Sequence, residues 1–393
     1  MNDFVFTYPT AVYFGQGAAA KHLKGILASY GPKVMLAYGG GSIMGNGVYE
    51  ELTAILSDAG KTVIEFSGIM SNPTYAKVQE GAVLARRESV DLILAVGGGA
   101  VVDCCKIVAV QAKTEKDIWE MEFTARKLPA ESIPLGAVVT VSGTGAEMNG
   151  GAVITHEEKQ IKTGVFGAVP RFAILDPAYT MSVPFPQVIS GAFDTLSHAM
   201  ETYFGRSDRD NVSDDVAEAI MRNTIQNMRT LLKNPEDYTA RSNLMWDSAM
   251  AENGILKVGR LTDFQAHQIE HQLGAYTDCN HGQGLAVILP SYYWHISPAA
   301  PEKFAQLAVR VWDISPDGLS TTELADAGIA ALAAFIRECG LPTRLRDLRM
   351  KDAPEDLITP VRLKEIADSC NIAPNGYKKL THEEIFEILT ECL

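Results

Sequence analysis

Three short apolar runs constrain this chain more than any other feature: Val34–Tyr38, Asp91–Val96 and Leu135–Thr140 each end in a glycine-rich loop. Between them lie stretches of helical periodicity, near Val48–Asp58, Tyr75–Arg87 and Val101–Ala112, with a further short run at Thr62–Phe66. Short β-branched segments that alternate with amphipathic ones predict βαβ units around a mainly parallel sheet. Beyond Asp176-Pro177 the apolar residues recur at helical spacing, and Pro184, Pro186, Pro235, Pro290 and Pro298 are read as breaks between helices. The prediction is an α/β domain over residues 1–180 and an all-α domain over residues 181–393, without internal repeats. With 393 residues, 47% of them hydrophobic, the chain can bury two cores.

Charge and composition remove several classes of function. The formal net charge of −14 repels phosphate backbones, and no basic patch overrides it, so nucleic acid is not an expected partner. No apolar run reaches the roughly 18 residues of a membrane span. No Lys or Arg precedes Lys21, unlike the basic start of a secretory signal, so the mature chain is expected to begin here, in the cytoplasm. Six cysteines without CxxC spacing fit reduced thiols, and the adjacent Cys104 and Cys105 read as buried helix residues.

Two groups of residues carry chemistry. Gly97-Gly98-Gly99 lies between a strand and a helix, where missing side chains let backbone N–H groups approach a pyrophosphate, and Asp103 follows on the first turn. Thr140, Thr144 and Asn149 surround Gly143 and Gly145 with short hydrogen-bonding side chains, as a dinucleotide lying across several strand ends requires. The GxGxxG fingerprint is absent, so the domain is Rossmann-like only in outline. The other group lies in the helical half. Asp194 and His198, four apart, project from one helix face; His267 and His271 repeat that spacing, and His281 follows. Three imidazoles and a carboxylate suit zinc or ferrous iron, and spacing alone leaves open which of His267 and His271 binds.

Taken together, these residues resemble the iron-containing, or group III, alcohol dehydrogenases, nearest their butanol dehydrogenase and broad aldehyde reductase branch. The resemblance runs from Tyr13-Phe14-Gly15 through Gly97-Gly98-Gly99, Asp176-Pro177 and Gly191–Glu201 to His281-Gly282-Gln283-Gly284. It implies a dehydroquinate synthase-like fold, a cleft between the domains and a homodimer. It also implies metal ligands at Asp194, His198, His267 and His281, with His271 between metal and nicotinamide. Asn72, Gly98, Gly99, Asp103, Thr140, Thr144, Asn149 and Lys162 would surround the dinucleotide. Three departures from the family pattern are visible: Ala100 and Ala146 each replace a serine, removing a hydroxyl, and Met44-Gly45 stand where NADP-using relatives often carry lysines.

The expected activity is hydride transfer between a nicotinamide cofactor, NADP(H) or NAD(H), and a primary alcohol or aldehyde, assisted by Fe2+ or Zn2+. Phe204, Phe264 and Trp246 are candidates for apolar walls, although core packing is the commoner fate of such residues. NAD-using enzymes often place a carboxylate at the position that here follows the strand Val34–Tyr38, against the adenosine ribose; this chain has Gly39-Gly40-Gly41-Ser42, which favours NADPH. A dehydroquinate synthase-type lyase ranks lower, because Arg260 is the main basic residue near the His-rich segments. A non-enzymatic scaffold would leave the Asp/His set without purpose.

Overall fold

The structure, a computed structural model, describes residues 2–125, 128–129, 131–206 and 211–393. It divides into two compact units, Thr7–Pro184 and Phe185–Leu393, the second joined by the residues ahead of Thr7. Asn2 N donates to Gly259 O at 3.3 Å within that second unit.

The first unit holds β1 (Ala11–Phe14), β2 (Lys33–Tyr38), β3 (Thr62–Phe66), β4 (Leu92–Gly97), β5 (Leu135–Val139), β6 (Gly151–His156), β7 (Ile161–Phe166) and β8 (Phe172–Leu175). Six of these form a parallel sheet in the order β1-β8-β5-β4-β2-β3, while β6 and β7 pair as an antiparallel hairpin. Strand alternation explains why both faces are covered. Met35, Ala37, Ile93 and Ala95 enter one core with the helices Tyr75–Glu88 and Gly99–Gln111. Val34, Leu36, Tyr38, Leu92, Leu94 and Val96 enter the other with Leu23, Val48 and Leu52. Each fully buried Leu or Val contributes roughly 1.5–3 kcal/mol.

The predicted strands and helices of this unit form close to their expected bounds, but β1, β8 and the hairpin were not foreseen. The four residues of β1 gain their strand character only by pairing with β8, Ala11 opposite Phe172. The helix Gly99–Gln111 begins two residues before the expected Val101, because Gly98 takes the extended N-cap conformation. It is buried from Val101 to Gln111, with Cys104 and Cys105 inside, since it packs against β4 on one side and β6 on the other.

Among its described residues, the regular elements of the second unit are helices, with one isolated bridge between Arg206 and Leu261. Its longer helices are Phe185–Tyr203, Val212–Lys233, Tyr238–Glu252, Gln265–Thr277, His281–Ile296, Pro301–Arg310, Thr321–Glu338, Pro360–Ser369 and His382–Glu391. Pro184, Pro235 and Pro298 stand at helix ends or between helices, and Pro186 lies in a first turn, where a missing N–H is harmless. Pro290 corrects the sequence reading: the helix His281–Ile296 runs through it. Burial of Leu285, Ala286, Val287, Ile288, Leu289, Tyr292 and Tyr293 on both sides outweighs the one backbone hydrogen bond that proline forfeits.

The helix pair Val212–Lys233 and Tyr238–Glu252 encloses Asp247, whose carboxylate accepts from Thr224 Oγ1 at 3.1 Å. Burial pushes this acid up to about 7. Its protonated form is therefore favoured in the folded state, and that stability is lost as pH rises from about 4 through 7. Asp247→Asn should raise stability at pH 8 by about 4 kcal/mol, with the difference vanishing near pH 4, as urea unfolding at the two pH values would show.

Candidate metal centre and cofactor loops

The helix Phe185–Tyr203 carries Asp194 and His198 one turn apart, and Gln265–Thr277 carries His267 and His271 in the same way. His281 opens the helix His281–Ile296, whose N-cap Asn280 accepts from Gln283 N at 3.1 Å. Close approach of these helices depends on glycine. A Cβ on Gly282 would stand 2.2 Å from Ser190 O, and one on Gly284 would stand 2.9 Å from Glu270 Cγ.

Three imidazole nitrogens face one carboxylate oxygen. Asp194 Oδ1 lies 3.5 Å from His281 Nε2, 3.7 Å from His267 Nε2 and 3.8 Å from His198 Nδ1. These separations are too long for good hydrogen bonds. Ligands held about 2.0–2.2 Å from a four-coordinate ion stand roughly 3.3–3.6 Å apart, and the observed 3.5, 3.7 and 3.8 Å lie within or just beyond that range. Donor atoms of Asp194, His267 and His281 all lie within 4.8 Å of one another. His198 borders that set, its ring stacked on His267 with centroids 4.6 Å apart. Asp194 Oδ1, His198 Nδ1 and His267 Nε2 are buried without a hydrogen-bond partner among the described residues. Left so, buried polar atoms cost 1–3 kcal/mol or more each, and a divalent cation would satisfy all of them at once. The donor set fits such an ion.

Two glutamates that the sequence reading passed over complete the geometry. Glu201 bonds His267 Nδ1, and its other oxygen accepts from Ala266 N at 2.8 Å. Glu270 bonds His281 Nδ1. Each carboxylate holds its imidazole so that the opposite nitrogen faces inward, as outer partners of metal-bound histidines do. Their spacing was a usable signal: Glu201 follows His198 by three, and Glu270 follows His267 by three, both on the inward helix faces.

Electrostatics agrees with a cation at this point. Burial would lower the His267 imidazole, but the Glu201 and Asp194 carboxylates outweigh it and push it up to about 10. Burial would raise Asp194, yet His198, His281 and His267 hold it below the usual carboxylate range. His198 is pushed down, burial prevailing over Asp194 and Glu252. His271 sits 6.0 Å from the His267 ring and 5.5 Å from His281, measured between centroids. It also forms a second group with Glu270 and His281, their donor atoms within 4.8 Å of one another.

Of the three aromatic candidates, only Phe264 reaches these rings, 5.2 Å from His267 and 6.1 Å from His198. Phe204 stacks on Phe304 at 4.0 Å inside the core, and Trp246 is 40% exposed, so neither forms a wall here. Arg260 is committed as well. Its guanidinium donates to Asp214 at 2.6 Å and to Thr202 O and Tyr203 O at 2.9 and 3.0 Å, capping the helix that carries Asp194. Arg260 is thereby unavailable to a phosphorylated substrate of the lyase type.

In the α/β unit, strand order reverses between β2 and β4, and a crevice at the carboxyl ends of strands at such a point is the usual ligand position. Gly39–Ser42 follow β2, Gly97–Gly99 lie at the end of β4, and Thr140 follows β5 with its N–H on Gly97 O at 3.0 Å. Gly41 has φ +99°, which glycine adopts without strain. A Cβ on Gly99 would meet Thr144 Oγ1 at 2.2 Å, so the loop closes directly over that helix start. Ala146 N donates to Thr144 Oγ1 at 3.2 Å, in the place where the family serine is missing.

Lys106, not singled out from sequence, is fully buried and ties this region together. Its Nζ lies 3.2 Å from Asp103 Oδ1 and from Asn149 Oδ1, and it also bonds Gly151 O. Asp103 Oδ2 accepts from Val153 N at 2.9 Å. Lys162 is buried on β7 opposite Thr155, and half-buried Asn72 lies in the loop after β3.

Comparison with known proteins agrees with the expected family. Residues 9–177 match the model described as iron-containing alcohol dehydrogenase, and residues 188–393 match that of the Fe-containing alcohol dehydrogenase family, C-terminal. The chain is 35% identical over 395 residues to a probable NADH-dependent butanol dehydrogenase of Bacillus subtilis, covering 100% of both. It is 36% identical to an NADPH-dependent aldehyde reductase of Escherichia coli, over 88% of this chain and 89% of that one. The crystal structure of NADH-dependent butanol dehydrogenase A from Thermotoga maritima superposes with a TM-score of 0.91 at 35% identity, covering 100% and 99%.

The ligand set predicts distinct behaviour at three positions. Asp194→Ala should lose most bound metal, and Glu201→Gln should weaken metal affinity about 10–100-fold by releasing His267. His271→Ala should keep the metal and lose turnover. Elemental analysis with parallel activity measurements checks all three, and loss of metal from His271→Ala would mean that His271 is a ligand.

Proposed function

The chain belongs to the iron-containing alcohol dehydrogenase family, and from that premise we propose that it reversibly reduces a small aldehyde to its primary alcohol with a nicotinamide cofactor. The convergence of three buried imidazoles on the Asp194 carboxylate supports this reading above all else. Asp194, His198, His267 and His281 would hold Fe2+ or Zn2+, both of which accept nitrogen and oxygen donors. Bound there, the ion supplies Lewis acidity at the substrate oxygen, and the nicotinamide gives or takes the hydride.

The protein's own groups supply position and proton handling. Glu201 and Glu270 fix the orientation of His267 and His281, and Asp194, held ionised, keeps the centre's charge low. Phe264 excludes water on the side of His198 and His267. His271, one turn beyond His267, passes the alcohol proton at a ring nitrogen to or from solvent. In the α/β unit, the N–H groups around Gly97–Gly99 would bind the pyrophosphate, with Asn72, Asp103, Thr140, Thr144, Asn149 and Lys162 around the rest of the dinucleotide. Lys106 would keep Asp103 and Asn149 in place for that contact. A homodimer in the cytoplasm, where the buried free thiols stay reduced, completes the proposal.

The direct test is butanal reduction by metal-loaded protein, followed by elemental analysis. Absence of turnover with either nicotinamide cofactor at full metal occupancy would overturn the reading.

For the cofactor we propose that NADPH serves at least as well as NADH. Relatives of both habits stand at similar identity, so the argument rests on Gly39–Ser42, which set no carboxylate against a 2′-phosphate and offer it backbone N–H groups and the Ser42 hydroxyl. An added Cβ at Gly39 would stand 3.1 Å from Ile69 O, tight but without backbone strain. Gly39→Asp should therefore lower the NADPH to NADH ratio of kcat/KM by about tenfold or more, through like-charge repulsion. An unchanged ratio would show that this segment does not meet the ribose.

A further inference from the structure

Beside the metal centre stands a charged pair that the reaction so far does not use. The helix Tyr238–Glu252 ends on Glu252, a position where the helix dipole disfavours a carboxylate. The chain then turns through Gly254, at φ +91°, and Ile255–Lys257, which brings Lys257 Nζ to 2.8 Å from Glu252 Oε2. The same ammonium lies 4.9 Å from the centroid of the Phe264 ring. Phe264 itself is held in the left-handed region, at φ +57°, directly ahead of the helix that carries His267. A bulky residue rarely adopts that conformation unless its surroundings impose it. Its ring is thereby held beside both the ammonium and the imidazoles.

The pair is asymmetric. The Glu252 side chain is 10% exposed and that of Lys257 is 36% exposed, so the positive end faces outward. An ammonium has three N–H donors, and Glu252 is its only carboxylate partner among the described residues. Ring separations of 5.2 Å from His267 to Phe264 and 4.9 Å from Phe264 to Lys257 Nζ leave the ammonium at most about 10 Å from the His267 imidazole. A chain of about four carbons, with bonds near 1.5 Å, would span from a carbonyl at the metal centre to an acceptor on that ammonium.

Building on the proposed reductase reading, we propose that Lys257 is a specificity-determining residue that receives the far, anionic end of the substrate. The substrate class is then an ω-oxo carboxylate of about four carbons, alongside plain aldehydes of similar length. Glu252 moderates the charge, so apolar tails of the same length are accepted beside anionic ones. This gives the two partners opposite effects. Removing the ammonium should weaken binding of the anion, and removing the carboxylate should strengthen it.

The experiment measures KM for 4-oxobutanoate and for butanal with metal-loaded wild type, Lys257→Met and Glu252→Gln, at low and high salt. Lys257→Met should raise the KM ratio of 4-oxobutanoate to butanal about tenfold, and Glu252→Gln should lower it about threefold or more. Added salt should raise KM for the anion more than for butanal in wild type, and that excess should shrink in Lys257→Met. A merely structural pair would move both variants in the same direction and both substrates alike, and that result would overturn the proposal. If Lys257→Met alone does not fold, because buried Glu252 loses its ammonium partner, the double variant Lys257→Met/Glu252→Gln replaces it; its ratio should rise above the wild-type value, and an unchanged ratio would count against Lys257. Wild type that binds metal yet reduces neither substrate would instead overturn the reductase reading on which this one rests.

Discussion

Polar atoms withdrawn from water must find a partner, and at one point in the helical unit a cation would meet that requirement. Asp194 Oδ1, His198 Nδ1 and His267 Nε2 are buried and face one another across distances too long for hydrogen bonds. The surrounding helices preserve this arrangement. Glu201 and Glu270 fix two of the rings, Arg260 caps the helix bearing Asp194, and Gly282 and Gly284 let the helix of His281 approach closely. Each device is ordinary alone. Together they hold an acidic and imidazole-rich cluster that would be destabilising in an apolar core without its ion.

The α/β unit solves a different problem with the same economy of parts. A parallel sheet covered on both faces leaves only its strand ends available to a ligand, and there the chain places glycine and short hydroxyl or amide side chains. Lys106 shows how such a loop is kept in place: a fully buried ammonium joins Asp103, Asn149 and the start of the β6–β7 hairpin. Breaking such a buried pair by removing one partner typically costs about 3–5 kcal/mol. Loop position and unit stability are thereby linked through one side chain.

Much of this was legible in the sequence because it depends on local pattern. Strand and helix periods located β2, β3, β4 and β5 and the helices between them, and i,i+4 spacing paired Asp194 with His198 and His267 with His271. Four-residue β1 escaped notice because its strand conformation depends on pairing with β8, far along the chain. Pro290 was misread because a breaker acts locally, whereas the burial that carries a helix through it is a property of neighbours brought in by folding.

What the sequence by itself determined, then, is the kind of parts present: a sheet with glycine at its strand ends, a helical second half, and a set of imidazoles and a carboxylate suited to a divalent ion. Only the tertiary structure decided which atoms meet. It turned Glu201 and Glu270 onto the far nitrogens of His267 and His281, separated Phe264 from Phe204 and Trp246, and set Lys257 beside Phe264. The physical reason is range: periodicity and spacing report on neighbours within a turn or a strand. Partners such as Glu201 and His267, 66 residues apart, are chosen by the packing of whole helices.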